Sequence, residues 1–241
     1  ATLVPGSPRK ADKVASDLIS RIVTGELPVG SILPREEDLA DDYGVNRSVV
    51  REAGKLLQVH RLVEPRRRRG TEVLDPMQSL TPQVISALLV NAAGKLDPKF
   101  LEEFLEIRAL LDSHLAGLVA ERRNADDLVK LEAILARIEG AVPGSDDAFA
   151  AVDDFGLCLA HASKNRLFVM LSHWHRQIAR RLSPLLHGTR QRAAEVRGYR
   201  VLYEAIRCQD AAAARTMVLQ FHEWANQQVL AEARKSKQCS R

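Results

Sequence analysis

Cysteine is scarce in this chain of 241 residues, and the three that occur, Cys158, Cys208 and Cys239, show no regular spacing. This pattern argues against a disulfide framework and against a zinc ribbon, and it fits a reducing cytoplasm. Long apolar runs are lacking as well: none approaches the roughly 18 residues that span a bilayer, and the chain starts without a signal-peptide pattern. We therefore expect a cytoplasmic protein that does not engage membranes.

Groupings of residues suited to catalysis are also missing. No Ser/His/Asp or Cys/His arrangement emerges from the positions of these residue types. His161, His173 and His175 are interpreted as surface or packing residues, because the last two are two positions apart and face different sides of one helix. We therefore expect neither enzymatic activity nor a cofactor.

The size of the chain allows two domains with hydrophobic cores, since 46% of its residues are hydrophobic. Regular structure is interrupted at Asp75-Pro76, where we place the boundary. The first domain is then expected over residues 10–76 and the second over residues 77–235. No strand alternation appears after the boundary, so we expect a mainly α protein.

The middle of the first domain carries two short helical patterns around a glycine. Gly44 can adopt the positive φ that ends the first helix, and Asn46 or Ser48 can cap the second. Arg47 and Arg51 lie one helical turn apart at the start of that second helix, where a recognition helix meets base edges. The pattern predicts a helix-turn-helix.

A basic hairpin pattern follows the second helix. Strand patterns at 62–64 and 71–73 are joined by the four arginines of the segment 66–70. Residues 47–69 contain eight basic residues against two acidic ones, whereas the acids gather upstream, at Glu36, Glu37, Asp38, Asp41 and Asp42. A surface polarised in this way orients a domain on phosphates and makes its affinity sensitive to salt. The sequence therefore predicts a winged helix-turn-helix that binds DNA.

Seven helices are expected after Pro76, following a first helix at 10–24. Their predicted bounds are 81–94, 97–122, 125–140, 146–162, 165–186, 191–208 and 210–233. Two of them, 97–122 and 165–186, carry broad apolar stripes that imply burial on more than one side. An all-α bundle of this size can enclose a pocket or form a dimer.

These patterns resemble the GntR family of bacterial transcription regulators, in the branch typified by the fatty-acid regulator FadR. The matching segments are 25–30, 33–40, 44–53, 62–63, 70–71, 108–112, 159–165 and 205–210. The resemblance extends over residues 10 to 232. It implies a winged helix-turn-helix domain followed by an all-α effector-binding and dimerisation domain of about seven helices, as in other members of this branch.

By this resemblance the protein binds palindromic operators in double-stranded DNA as a homodimer. The residues that it implies in DNA contact are Arg35, Asn46, Arg47, Ser48, Arg51, Arg66, Arg67, Arg68, Arg69 and Gly70. The chemistry agrees, because arginine grips guanine O6 and N7 with two bonds, short polar side chains suit phosphates, and wing arginines suit a minor groove. An intrahelical pair between Arg51 and Glu52 is the alternative for that side chain.

Three positions depart from the family pattern. Gly54 stands in place of a large aliphatic residue, and a glycine inside a helix costs on the order of 1 kcal/mol. Arg61 replaces the glycine that ends the helix, and Arg68 replaces the glycine at the wing tip. If both keep a positive φ, each carries modest strain.

Many relatives hold a divalent metal in the second domain through an Asp, a His four residues later and two further His. With the chain registered on 162–165 and 205–206, the corresponding positions are Val152, Gly156, Tyr199 and Phe221. None of them is a good metal ligand. Asp153, Asp154 and His222 each lie one residue away from a ligand position of the metal pattern. An offset of one residue turns a helical side chain by about 100°. We expect no metal site.

Without those polar ligands the centre of the bundle becomes apolar. Arg108 lies near an apolar stripe, and its charge needs either Asp112, one turn later, or an anionic group of an effector. The candidate effector-binding residues are Arg108, Asp112, Val152, Gly156, Arg176, Arg180, Tyr199 and Phe221. By analogy with FadR the favoured effector is a fatty acid or acyl-CoA, and a small organic acid such as a sugar acid is the alternative.

The expected function is that of an effector-responsive transcription regulator, and more specifically a repressor. Two further classes remain open. A constitutive DNA-binding protein would share the basic wing but fill its bundle tightly. A helical enzyme fused to a DNA-binding module would need convergent titratable residues in the second domain, where the sequence offers few.

Overall fold

Helices dominate the structure, a computed structural model that describes residues 9–90, 94–142, 145–186 and 192–238. Within these ranges the first elements are α1 (Lys10–Val23), α2 (Glu36–Tyr43), α3 (Arg47–Val59), β1 (Val63–Arg66) and β2 (Gly70–Val73). They are followed by α4 (Pro82–Leu88), α5 (Pro98–Arg122), α6 (Ala125–Gly140), α7 (Asp146–Ala162), α8 (Arg166–Leu186), α9 (Arg192–Arg207) and α10 (Ala211–Gln238). The predicted fold class is confirmed.

Most of the predicted helix starts have a visible cause. Asp97 accepts hydrogen bonds from the backbone of Lys99 and Phe100, so α5 begins where the Asp-Pro pair indicates. Asn124 and Asp127 form a reciprocal capping box at α6. These bonds satisfy backbone N–H groups that have no partner inside the helix.

The chain divides into two compact units between Gly94 and Lys95. The boundary expected at Pro76 differs from this division because α4 packs against α1, within the first unit. Val84 of α4 is fully buried in the core of the first unit. Of the seven helices expected after Pro76, α5 to α10 therefore lie in the second unit, while α4 completes the first.

The first unit is built around α1 and α3, whose apolar faces meet the small sheet. Leu18, Leu57, Leu62 and Val73 are all at most 1% exposed. The strands pair antiparallel with Val63 opposite Val73, and Ile32 adds a single bridge to the outer side of β2. This packing fixes α3 against the wing, so that the outer faces of both belong to one rigid piece.

The second unit packs α5 along α10 and α6 along α7, around a core that contains Phe155, Leu131 and Ile206. The expectation that the stripes of α5 and α8 are buried on several sides is only partly met. Leu110, Leu111, Leu167 and Met170, which belong to those stripes, are exposed. In the described ranges, no helix is long and apolar enough to cross a membrane.

Two glycines of the first unit are expected to respond to alanine in opposite ways. A Cβ on Gly54, inside α3, would meet no atom within 4 Å, so Gly54→Ala is expected to raise the free energy of unfolding by about 0.5–1 kcal/mol. Gly70 has φ +102° and its Cβ would lie 2.7 Å from Ile32 Cγ2. Gly70→Ala is therefore expected to lower that free energy by about 1–3 kcal/mol.

Urea denaturation of the two variants beside the unmodified protein measures both changes. Because the two substitutions add the same methyl group within one unit, each controls for the other. Equal effects of the same sign would contradict the prediction.

Candidate nucleic-acid interface and effector site

The turn between α2 and α3 is set by Gly44, which has φ 60° and ends α2 as predicted. Tyr43, the last residue of α2, donates a hydrogen bond to Asp17 and accepts one from Arg21, both of α1. Asn46 occupies the N-cap position of α3, but its side chain makes no capping hydrogen bond. The amide of Asn46 therefore stays exposed at the start of the helix.

The exposed face of α3 carries the two arginines that the sequence singled out. Val50, Ala53 and Leu57 point into the core, whereas Arg47 and Arg51 are exposed, as is Ser48. Arg35, at the start of α2, is exposed too. The alternative pairing of Arg51 with Glu52 is not formed as a salt bridge, because Glu52 pairs with Lys55 at 2.7 Å.

The wing separates its four arginines into two kinds. Arg66, the last residue of β1 before the turn, pairs with Glu72 at 2.7 Å and with Glu64 at 2.8 Å, and the hydrogen bond to Glu72 and the charge of Glu64 raise its pKa. Arg67, Arg68 and Arg69 are exposed and make no salt bridge within the described part of the chain. The free positive charge of the wing is thus concentrated at its tip.

Both arginines that stand in place of family glycines have a positive φ. Arg61, after α3, has φ 55°, and Arg68, at the tip of the wing, has φ 63°. Gly70 follows with φ 102°, and the Arg69 amide donates a hydrogen bond to the Arg66 carbonyl at 3.1 Å, which closes the turn. The wing therefore retains a tight turn although its tip carries three long side chains.

In the second unit, two of the four positions aligned with metal ligands, Tyr199 and Phe221, belong to a cluster of aromatic rings. The Tyr199 ring is centred 5.3 Å from that of Phe155 and 6.0 Å from that of Phe221. Val152 packs against the same core. A Cβ on Gly156 would meet no atom within 4 Å, so there is open space beside this glycine.

The three candidate arginines of the second unit differ in how far they are neutralised. Arg176 hydrogen bonds to Asp153 at 2.8 Å, and Arg180 lies 3.8 Å from the same carboxylate with a mostly exposed side chain. Arg108 Nε lies 3.3 Å from Asp112 Oδ2, as the intrahelical alternative proposed, but this buried Nε makes no hydrogen bond. Arg108 therefore retains unused donor capacity inside the protein.

Comparison with known families decides the identity. Residues 10–73 match the family described as bacterial regulatory proteins, gntR family, and residues 103–222 match the FCD domain. The uncharacterised HTH-type transcriptional regulator Rv0494 of Mycobacterium tuberculosis is 35% identical over 170 residues, which cover 70% of this chain and 68% of that protein.

The chain belongs to the GntR family.

Other similarities agree with this assignment. The galactonate operon transcriptional repressor of Escherichia coli is 32% identical over 128 residues, which cover 52% of this chain and only 55% of that protein. A solved structure, the GntR protein of Streptococcus agalactiae, has a TM-score of 0.51 at 26% identity and covers 90% of this chain and 99% of its own. This GntR protein is accordingly a DNA-binding transcription regulator with an FCD effector domain.

Sequence reasoning named two histidines of the GntR protein, His175 and His222, but did not place them near Arg108. His222 is 6% exposed, and its Nε2 lies 3.0 Å from Asp112 Oδ2. Although burial opposes it, the hydrogen bond from His222 and the charge of Arg108 hold the pKa of Asp112 below its ordinary value. His222 and Asp112 are 110 positions apart, so no spacing rule could have joined them.

His175 is the second of these histidines. Its ring stacks on Phe104 with centroids 6.0 Å apart. Burial, assisted by the nearby charge of Arg108, lowers the pKa of His175 to about 3, so the imidazole is neutral at physiological pH. A neutral imidazole beside an arginine offers one donor and one acceptor to a bound molecule.

No cluster of three or more His, Cys, Asp or Glu side chains that could hold a metal ion occurs among the residues that the structure describes. His222 is bonded to Asp112 on a different helix, and Asp153 and Asp154 are engaged by Arg176. These near-miss residues of the metal pattern therefore have other partners in this GntR protein.

Proposed function

We propose that this protein represses transcription by binding palindromic operators as a homodimer, and that a carboxylate-bearing effector releases it. The observation that carries the proposal is the arrangement of exposed guanidinium groups in the first unit. Arg47 and Arg51 stand on the outer face of α3, and three exposed arginines form the tip of the adjoining wing.

The chemistry of this surface fits a DNA duplex. Arginines one turn apart on a helix can reach neighbouring base pairs in the major groove, where guanine presents two acceptors. Arg35, Asn46 and Ser48 surround them with short or flexible donors suited to phosphates. The tip arginines suit the negative potential of a minor groove, and Gly70 supplies the turn that presents them.

A homodimer is supported by an uncovered apolar stripe on α5. Ile107, Leu110 and Leu111 follow one another at helical spacing and are 58%, 57% and 39% exposed. Exposed stripes of this kind mark interfaces in soluble proteins. A twofold pair would present two copies of α3, which is the symmetry that a palindrome requires.

A carboxylate is the effector chemistry that the second unit suits best. Arg108 is ion-paired with Asp112, but its buried Nε makes no hydrogen bond, and the same Asp112 oxygen is hydrogen bonded to His222. An incoming carboxylate would supply the missing acceptor to Arg108. The similarity to a repressor named for galactonate, a sugar acid, agrees with this chemistry, and a fatty acid or acyl-CoA would bring the same anionic class with a longer apolar body.

Selection from a pool of random DNA tests the DNA half of the proposal. The expected product is a palindrome, bound by two chains per duplex as measured by sedimentation. A protein that enriches no sequence at moderate salt, or that binds as a single chain, would contradict the proposal.

Release from that selected duplex tests the effector half, with sugar acids, short hydroxy acids, free fatty acids and acyl-CoAs as separate arms. Arg108→Gln is expected to abolish the response to the active compound, whereas Arg234→Gln, at a mostly exposed arginine of the second unit that pairs with Glu102, is the matched control. If no acid changes binding, the protein is a constitutive DNA-binding protein, and the effector half is wrong.

A further inference from the structure

One ion pair joins the DNA-reading helix to the helix before it. Arg47, the first residue of α3, lies with its Nη2 2.5 Å from Glu37 Oε1 of α2. Both side chains are mostly exposed, 64% for Arg47 and 56% for Glu37, so the pair lies on the outer surface of the helix-turn-helix. The pair crosses the turn at Gly44 and is not an intrahelical contact.

The pair makes the two arginines of α3 unequal. Arg51 makes no salt bridge in the described ranges, so its side chain is free to sample rotamers. Arg47 is held at one edge by a carboxylate that itself belongs to a helix fixed by the buried residues Leu39 and Ala40. A guanidinium carries five donors in a planar fork, so one edge can stay on Glu37 while the other points outward.

We propose that Glu37 is a specificity-determining residue, which positions Arg47 to discriminate guanine in the half-site. The inference rests on the proposed recognition of DNA by α3 and adds a residue that makes no contact with the base itself. Holding the guanidinium before binding removes part of the entropy cost of ordering a long side chain. The pair also restricts the directions in which Arg47 can donate hydrogen bonds, so that at a wrong base its N–H groups have no acceptor.

The same carboxylate has an opposite effect on affinity for DNA in general. A negative charge beside the recognition helix repels phosphates whatever the sequence. Glu37 is therefore expected to weaken binding to random DNA while it strengthens the preference for the correct base. These two effects of one residue can be separated by experiment.

Glu36 provides a matched control for the loss of charge. It is the neighbouring residue in the first turn of α2, is exposed, and forms no salt bridge within the described part of the chain. Glu36→Gln and Glu37→Gln remove the same charge at nearly the same place, but only the second breaks the pair with Arg47. Both positions are on the surface, so neither substitution disturbs the core.

The experiment measures dissociation constants of the full chain for its selected palindrome, for that palindrome with each half-site position substituted in turn, and for random DNA. Glu37→Gln is expected to lower the discrimination at one guanine about tenfold, the value of one well-made base contact, and to raise affinity for random DNA. Glu36→Gln is expected to raise affinity for random DNA as much as Glu37→Gln does, and to leave the discrimination between bases at that guanine unchanged. In an Arg47→Ala background, Glu37→Gln is expected to have no further effect on discrimination.

Three results would overturn the inference. Equal discrimination in Glu36→Gln and Glu37→Gln would mean that only charge matters. Increased discrimination in Glu37→Gln would mean that the carboxylate masks Arg47 from DNA. Loss of discrimination that persists undiminished in the Arg47→Ala background would mean that Glu37 acts through another residue. An unmodified protein that already fails to prefer any palindrome would instead refute the proposed function, and this inference with it.

Discussion

Replacing Arg51 with alanine is expected to weaken binding to the selected operator by about 10- to 100-fold, and to weaken binding to random DNA much less, by the loss of one positive charge alone. The physical reason is that a bidentate arginine–guanine contact discriminates against other bases by about 1–3 kcal/mol, and each 1.4 kcal/mol is a factor of ten. Arg51 is exposed on α3 and makes no salt bridge in the described ranges, so its removal frees no buried partner. Fluorescence anisotropy at one fixed salt concentration measures both affinities.

The tip of the wing provides the contrast to this result. Replacing Arg67, Arg68 and Arg69 together with serine is expected to weaken binding to operator and random DNA alike. The slope of log affinity against log salt is expected to become shallower by roughly 0.9 for each phosphate that the variant no longer neutralises. If Arg51→Ala instead weakened both kinds of DNA equally, Arg51 would bind a phosphate and its proposed role in base recognition would be wrong.

A second large effect is expected from His175 when the pH falls. Between pH 7.5 and pH 5 this residue is expected to lower the free energy of unfolding by about 2 kcal/mol. Its pKa is about 3 in the folded protein and 6.5 as the ordinary value, so the unfolded chain binds the extra proton. The stability is complete above pH 6.5 and is lost as the pH falls towards 3.

The groups around His175 explain why its effect is measured between pH 7.5 and pH 5. Burial is the largest cause of its low pKa, Arg108 and His222 lower that pKa further, and Asp112 raises it. The pKa of Asp112 itself lies below its ordinary value of 3.8, so that carboxylate stays charged in the folded protein down to pH 5. The change between pH 7.5 and pH 5 therefore reports on histidine and not on this carboxylate.

His175→Gln tests the expectation, with His173→Gln as the matched control on the same helix. His173 is exposed, so its replacement is expected to leave the pH dependence unchanged. Urea denaturation followed by tryptophan fluorescence is a suitable measurement, because Trp174 and Trp224 both belong to the second unit. Equal losses of stability in His175→Gln and in the unmodified protein would show that the buried imidazole is not responsible.

The sequence predicted those parts of the site that depend on local order. Gly44, Arg47 and Arg51 lie within eight positions of one another, so helical periodicity and a single turn determine their relative placement. The wing was predictable for the same reason, since its two strands are adjacent in the chain. Even the unusual Arg61 and Arg68 retain a positive φ, because the flanking strand pairs and buried residues determine the backbone there.

Contacts between distant helices could not be predicted in this way. The pair of Asp112 with His222 depends on how α10 is rotated against α5, and a rotation of one residue would separate the two side chains. The exposure of Leu110 and Met170 was not predicted, because an apolar stripe indicates only that a helix face is suited to burial. The stripe does not indicate whether the same chain or another molecule buries that face. The placement of α4 in the first unit has the same origin, since it follows from packing on α1.

The salt bridges of Arg66 bear on how the proposed operators would compete with one another. With Arg66 engaged by Glu64 and Glu72, the positive charge that the wing would offer to DNA in the proposed complex is concentrated on residues 67–69. A tip of this kind responds to the width of a minor groove more than to the identity of its bases, and A-tracts narrow that groove. Operators with identical half-sites are then expected to differ in affinity according to their flanking sequence. Promoters that share one half-site would thus differ in occupancy through DNA shape alone.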